Sequence, residues 1–326
     1  PLTLAQIARS TGLRGYRAVV DQLVAREWAS KEEEARTPTV RPKRTVVVRA
    51  ALDADPEALH GGAVRQRAAL EYLLARRAGG DPWVPLVEVQ EETGVAPAAI
   101  RALVARGLAE EERRPVWRDP LAERTFVPVF PPRLTAAQEA AWQRIHTDLA
   151  SPGGKPFLLQ GVTGSGKTEI YMRAVKQVLD QGRSAIVLVP EIALTPQTIR
   201  RFGARFPTTL AVMHSRLSAG ERYDQWRRLR AGELRLVVGS RSAVFAPVQR
   251  LGLIVLDEEH EPSYKQQQTP NYHARDVAVQ LARLTGATCV LGSATPALES
   301  AYRAERGEYE LLRLPQRIMG HSRVLA

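Results

Sequence analysis

Thiols are almost absent from this sequence: Cys289 stands alone among 326 residues. One cysteine rules out an internal disulfide framework, and it rules out a zinc site assembled from several thiolates within these residues. Its surroundings, ATCVLGSAT, form an apolar run that predicts a buried strand, so Cys289 is expected in a core. Apolar runs approaching the ~20 residues of a membrane span are missing too, and no signal-peptide pattern opens the chain. A cytoplasmic protein without membrane contact is the expectation. The first residue is Pro1 rather than methionine and falls inside a helical pattern, as expected of a piece of something longer. Acidic side chains are in deficit: 35 Asp and Glu face 46 Lys and Arg, a formal charge of +11. That excess favours a polyanionic partner, nucleic acid before membrane.

What is present begins with a weak internal repeat. LAQIARSTGLRGYRAVVDQLVARE (4–27) is similar to LVEVQEETGVAPAAIRALVARG (86–107): a short amphipathic helix, a Thr-Gly turn, and a second helix ending in Leu-Val-Ala-Arg. Gly12 and Gly94 break each pair, a helix-turn-helix pattern. TVRPKRTVVVRAAL follows the first copy and LAEEERRPVWRD the second, each in the place of a β wing. Two winged-helix-like α+β modules are therefore expected, over 1–60 and 61–117. Arg14, Arg17, Arg26, Arg41, Lys43 and Arg44 make the first copy the better candidate for DNA contact; a spacer or protein-contact role is the alternative. Residues 118–133 hold four prolines without helical period and predict an extended linker. From 134 to 326, apolar β runs alternate with helical stretches, which predicts one α/β domain: a parallel sheet with helices on both faces.

Within that domain, FLLQGVTGSGKTEIY places G-x-x-x-x-G-K-T between a predicted strand and a predicted helix. Gly161, Gly164 and Gly166 allow a tight backbone path, so that the N–H groups of Val162, Thr163 and Ser165 and the following helix end cradle a triphosphate. Lys167 is expected on the β and γ phosphates and Thr168 on Mg2+. LGLIVLDEEH delivers carboxylates at the end of a buried strand: Asp257 for Mg2+, Glu258 for the attacking water, with His260 completing the box. Upstream, Gln138 follows Thr135 by three residues, which fits a helix capping box and also a reader of an adenine edge; the two are compatible. LVPEIALTPQ, VVGSRSAVFAP and LGSATPALES each end a β run in small, hydroxyl or basic residues, suited to sequence-blind contact with a nucleic-acid backbone. Ser293 and Thr295 are placed to link that contact to the phosphate pocket.

In this order the motifs resemble those of superfamily 2 helicases. GVTGSGKTEIY, VPEIALTPQTI, GSRSAVFAP, DEEHEPSYKQQ, YHARDVA and LGSATPALES are similar to the PriA-type primosomal helicases, densely over 134–326 and diffusely before that. The resemblance implies a RecA-like P-loop lobe of an ATP- and Mg2+-dependent DNA helicase, moving 3′ to 5′ at branched or stalled forks to restart replication. Its implied partners are branched and single-stranded DNA, single-stranded DNA-binding protein and other primosome or restart factors. It also implies DNA contacts at Pro190, Thr195, Arg241, Tyr264, Lys265, Tyr272, His273 and Arg275, the last five in a loop that senses single strands beside the catalytic box. The family's zinc-binding cysteines, its domain for a nascent 3′ end and its second RecA-like lobe have no counterpart in these residues. A branch-migration translocase of the RecG type and a DNA-binding module that uses ATP only as a switch are the rival readings. Glu259, Tyr264 and the intact Lys167, Thr168, Asp257 and Glu258 weigh against them.

Overall fold

The structure, a computed structural model, describes residues 2, 4–13, 15–31, 40–59, 63–80, 82–122, 124–151 and 153–318. They fall into two compact units, Pro1–Arg41 and Pro42–Ala326. In the first, α1 (Leu4–Thr11) and α2 (Tyr16–Ala25) are joined through Gly15, whose φ of 88° lies in the left-handed region that side chains disfavour. No residue of α2 is buried. Arg17 and Arg26 are exposed, Arg26 lying 5.4 Å from the centre of the Trp28 ring; Arg14 lies outside the described residues.

The second unit opens with an α+β module: β1 (Arg44–Ala50), α3 (Val64–Ala78), β2 (Val84–Pro85), α4 (Leu86–Thr93), α5 (Pro97–Ala105) and β3 (Ala109–Pro115). Its sheet has the order β2-β1-β3, antiparallel throughout. This corrects the sequence reading. The two expected wings are neighbouring strands of one sheet, paired from Arg44↔Pro115 to Ala50↔Ala109. The physical reason is burial: Val48 and Ala50 need an apolar partner surface, and Leu70, Leu73, Ile100 and Leu103 of α3 and α5 form it. A boundary at residue 60 therefore cuts through a single module.

The remaining elements are α6 (Ala136–Ala150), β4 (Phe157–Gly161), α7 (Lys167–Asp180), β5 (Ser184–Leu188), α8 (Pro196–Arg205), β6 (Leu210–Met213), α9 (Ala219–Ala231), β7 (Leu236–Gly239), β8 (Leu251–Leu256), β9 (Lys265–Gln266), β10 (Tyr272–His273), α10 (Ala274–Thr285), β11 (Thr288–Ser293), α11 (Leu298–Glu305) and β12 (Glu310–Leu314). Seven strands form one parallel sheet in the order β12-β4-β11-β8-β5-β7-β6. Alternate residues feed two cores: Leu253 and Val255 of β8 meet α6, α7 and α8, while Ile254 and Leu256 meet α9 and α10. A strand covered on both faces reads as an unbroken apolar run, which is why LGLIVLD is legible. Cys289 lies buried in β11, and burial pushes its thiol up to about 12.

The described residues of 118–133 form no regular element, yet their first half is anchored on this lobe. Asp224, itself buried, accepts from the backbone N–H and Nε of Arg118 at 3.1 and 2.8 Å, and Arg228 donates to Asp119 at 2.9 Å. Phe126 lies against Gly203 of α8, where an added Cβ would stand 2.2 Å from the ring. Val127, Val129 and Phe130 are exposed.

Candidate active site at the carboxyl edge of the parallel sheet

All seven strands end on the same edge, and the loops that leave it carry the motifs. The turn between β4 and α7 is built as the sequence predicts: Gly164 and Gly166 have φ of 83° and 86°. Glycine is also demanded by crowding, because a Cβ at Gly166 would lie 2.2 Å from Gln138 Nε2. Gln138 realises the capping box, its Oε1 accepting Thr135 N–H at 2.9 Å, and its Nε2 reaches further to the Ser165 carbonyl at 2.7 Å. It thus buttresses the loop directly. Ile318, beyond β12, donates its N–H to the Gly164 carbonyl at 3.0 Å. Val162 and Thr163 are exposed at the rim.

Lys167 is buried, its Nζ donating to the Gly161 carbonyl at 2.8 Å and lying 3.3 Å from Glu258 Oε1. Asp257 follows the end of β8; Tyr171 of α7 donates to its Oδ1 at 3.0 Å. Burial, then the Glu258 charge, raise the Asp257 carboxyl to about 6 against the pull of Lys167 and Tyr171. Glu258 sits at φ 46°, a left-handed conformation uncommon for a residue that carries a side chain, and its Oε1 faces the lysine. His260 Nδ1 is 3.6 Å from Glu258 Oε2 and 2.7 Å from Ser293 Oγ, and Ser293 Oγ accepts the Thr295 N–H at 3.0 Å. Lys167, Asp257, Glu258, His260, Ser293 and Thr295 are thus brought together from three segments.

The expected DNA-contacting set divides. Thr195 is exposed and caps α8, Lys265 is exposed, and Tyr272 is half-buried, packed edge-on against the exposed Phe245 at 5.0 Å. Tyr264 is a correction: it is 1% exposed, and its hydroxyl donates to the Asp257 carbonyl at 2.7 Å, so its ring has no face for a base. A short helical turn, Pro262–Tyr264, aims it inward from an otherwise polar loop. Arg275 is a second correction. It lies buried on the inner side of α10 and donates to Glu259 Oε2 at 3.0 Å, with Glu259 fully buried and also accepting from Ser300 Oγ and Ala297 N–H at 2.8 Å each. Pro190 is buried before a short helical turn and has little surface for a nucleic-acid contact. His273 caps α10 by accepting Arg275 N–H at 3.2 Å, and burial followed by the nearby Arg275 charge holds its imidazole below the usual value, against the cationic role. Arg241 donates to the carbonyls of Ser263 and Lys265 at 3.0 and 2.7 Å, gripping the loop on both sides of Tyr264.

Sequence reasoning missed Phe245, Tyr171 and Gly292, and it named Glu259 without its buried pairing. Only Tyr171 carried a signal, standing one helical turn after Lys167.

The site fits a nucleoside triphosphate with Mg2+. Ser165 Oγ is buried without a partner in the mouth of the loop, and the glycines leave room where side chains would stand. Among the described residues no group of three or more His, Cys, Asp or Glu is arranged around a metal. Mg2+ asks for less, one or two protein oxygens beside phosphates and water, which Thr168 and Asp257 match.

The DEAD/DEAH box helicase family model matches residues 135–304. Replication restart protein PriA of Bacillus subtilis is 49% identical over 262 residues, covering 80% of this chain and 32% of that protein. The protein of the same name from Chlamydia pneumoniae is 50% identical over 194 residues, 59% of this chain and 26% of that one. That of Synechocystis is 43% identical over 254 residues, 76% and 30%. The chain spans about a third or less of the length of these relatives.

Proposed function

Because the chain belongs to the DEAD/DEAH box helicase family, we propose that it carries the ATP-binding lobe of a 3′ to 5′ DNA helicase or translocase that restarts replication at stalled or branched forks. The observation that carries this reading is the approach of Lys167 Nζ to Glu258 Oε1, 3.3 Å, across the mouth of the glycine loop. Two opposite charges, one at the start of α7 and one just after β8, meet where a γ-phosphate and its attacking water would stand. The likeness to replication restart proteins supports the substrate.

On this reading the N–H groups of residues 162–166 hold the triphosphate, and Lys167 exchanges the Gly161 carbonyl and Glu258 for phosphate oxygens. Glu258, so released, orients and deprotonates the water. Mg2+, when bound, neutralises phosphate charge, and Thr168 and Asp257 would hold it. Gln138, its amide committed to Thr135 and Ser165, supports the loop from within rather than reading an adenine edge. The strand side consists of Thr195, Lys265, Tyr272 and Phe245, the two aromatics forming the stacking surface. Coupling runs inward through a chain of hydrogen bonds: Arg241 holds the carbonyls flanking Tyr264, and Tyr264 holds the Asp257 carbonyl. A displacement of the 261–273 loop by DNA is thereby felt at the catalytic box. In the parent protein, single-stranded DNA-binding protein and restart factors are the expected partners, the cytoplasm is the expected location, and a family zinc cluster would lie outside these residues.

Steady-state ATP hydrolysis by this chain, with and without forked DNA and with Lys167→Ala as the blank, tests the reading alongside fluorescent-nucleotide binding. Nucleotide binding with slow turnover is expected, since arginines of a second lobe contribute ~10³–10⁵ to such reactions. Failure of the unsubstituted chain to bind nucleotide sinks the proposal.

A further inference from the structure

Tyr171 ends the GVTGSGKTEIY stretch but lies outside the G-x-x-x-x-G-K-T loop itself, yet its hydroxyl bonds the half-buried Asp257 carboxylate. It stands one turn after Lys167, on the face of α7 that looks onto the sheet. The phenol is 1% exposed, and a buried hydroxyl requires a partner; Asp257 Oδ1 at 3.0 Å is that partner. The neighbouring strand is shaped around the contact. A Cβ at Gly292 of β11 would lie 1.6 Å from the Tyr171 oxygen and 3.5 Å from Asp257 Oδ1, so only glycine there admits the hydroxyl. A second tyrosine, Tyr264, holds the same residue by its backbone carbonyl at 2.7 Å. Asp257 is thus fixed at both its carboxylate and its main chain by phenols from opposite sides of β8.

We propose that Tyr171 is a positioning residue for the Mg2+-bearing carboxylate: through the passage left by Gly292 it orients Asp257, and so sets the affinity of the nucleotide site for the metal. The proposal rests on the reading of the site as a Mg2+–nucleotide pocket. A phenylalanine at 171 keeps the ring in the core and deletes only the hydroxyl, which separates positioning from packing. Outer-shell partners of metal ligands typically contribute factors of about 10–100 in metal affinity.

The test titrates Mg2+ against binding of a fluorescent ATP analogue to the full 326-residue chain and to Tyr171→Phe, with an EDTA series as the metal-free baseline. The expected result is a half-saturating Mg2+ concentration raised about tenfold or more, with metal-free nucleotide binding unchanged. An unaltered Mg2+ dependence overturns the proposal and leaves Tyr171 as core. If the phenylalanine variant unfolds, 3,5-difluorotyrosine placed at 171 alters the hydroxyl's donor strength without emptying the core; a shifted Mg2+ midpoint supports the proposal and an unmoved one overturns it. Absence of nucleotide binding by the unsubstituted chain is a different outcome, since it removes the underlying reading rather than the role of Tyr171.

Discussion

The parallel-sheet lobe and the α+β module before it treat charge in opposite ways. In the lobe, Glu259 and Arg275 are buried together, Lys167 is buried beside Glu258, and the half-buried Asp257 is held by a tyrosine. In the module the charges stay outside: Arg49 and Glu110 pair at 2.6 Å with side chains 35% and 44% exposed, and Glu111 and Glu112 of β3 face solvent. Burying charge is costly unless it is paired and hydrogen-bonded, so a domain does it where the chemistry or the geometry of a site requires it. The α5 helix of the module, the analogue of a recognition helix, exposes Ala98, Arg101 and Ala105. One arginine on that face is poor provision for a phosphate backbone.

The contrast can be broken first at the two ion pairs. Arg275→Met leaves Glu259 buried without its cation and should lower stability by about 3–5 kcal/mol, whereas Arg49→Met should change it by about 1 kcal/mol or less. Urea unfolding of the full chain measures both, and equal effects would abolish the distinction between the regions. Asp257 gives the next effect. Its carboxyl is raised to about 6 by burial, so the folded state binds a proton more readily than the unfolded chain, and stability is present at low pH and lost as pH rises from about 4 to about 6. Asp257→Asn should therefore stabilise the nucleotide-free chain at pH 7, by on the order of 2–3 kcal/mol, and stabilise it little at pH 4. A thermal-unfolding series over that range reads it; a pH-independent gain would mean that the carboxyl does not titrate as its burial demands. The smallest effect lies on the surface of the lobe. Tyr272→Ala should weaken single-stranded DNA binding by ~1–3 kcal/mol, and Tyr264→Phe should leave that binding unchanged, because one ring is open and the other enclosed. Fluorescence anisotropy with an oligonucleotide distinguishes them, and a loss confined to the Tyr264 variant would reverse the assignment.

Legibility differed between the regions for physical reasons. The glycine loop was readable because its function is local: a strand, a turn with positive φ and a helix start are all written within a dozen residues. The strand before the DEEH box was readable because burial on both faces removes every polar position. The module misled because its strands are alike in period and composition to two separate wings, while their pairing spans sixty-odd residues and depends on which helices offer a core. The polar loop after the box misled for another reason. Its composition is that of a surface segment, and nothing local announces that Tyr264 turns inward to the Asp257 carbonyl or that Arg275 meets Glu259.

By itself the sequence determined the class of the lobe, the position of its phosphate loop and the identity of the groups on it, because backbone dihedral preferences and apolar periodicity act over short stretches. The tertiary structure alone decided which carboxylates face the lysine, which aromatics remain open to a strand, and why β11 needs glycine opposite Tyr171. Those are questions of distance between remote segments, and they are answered by packing in three dimensions.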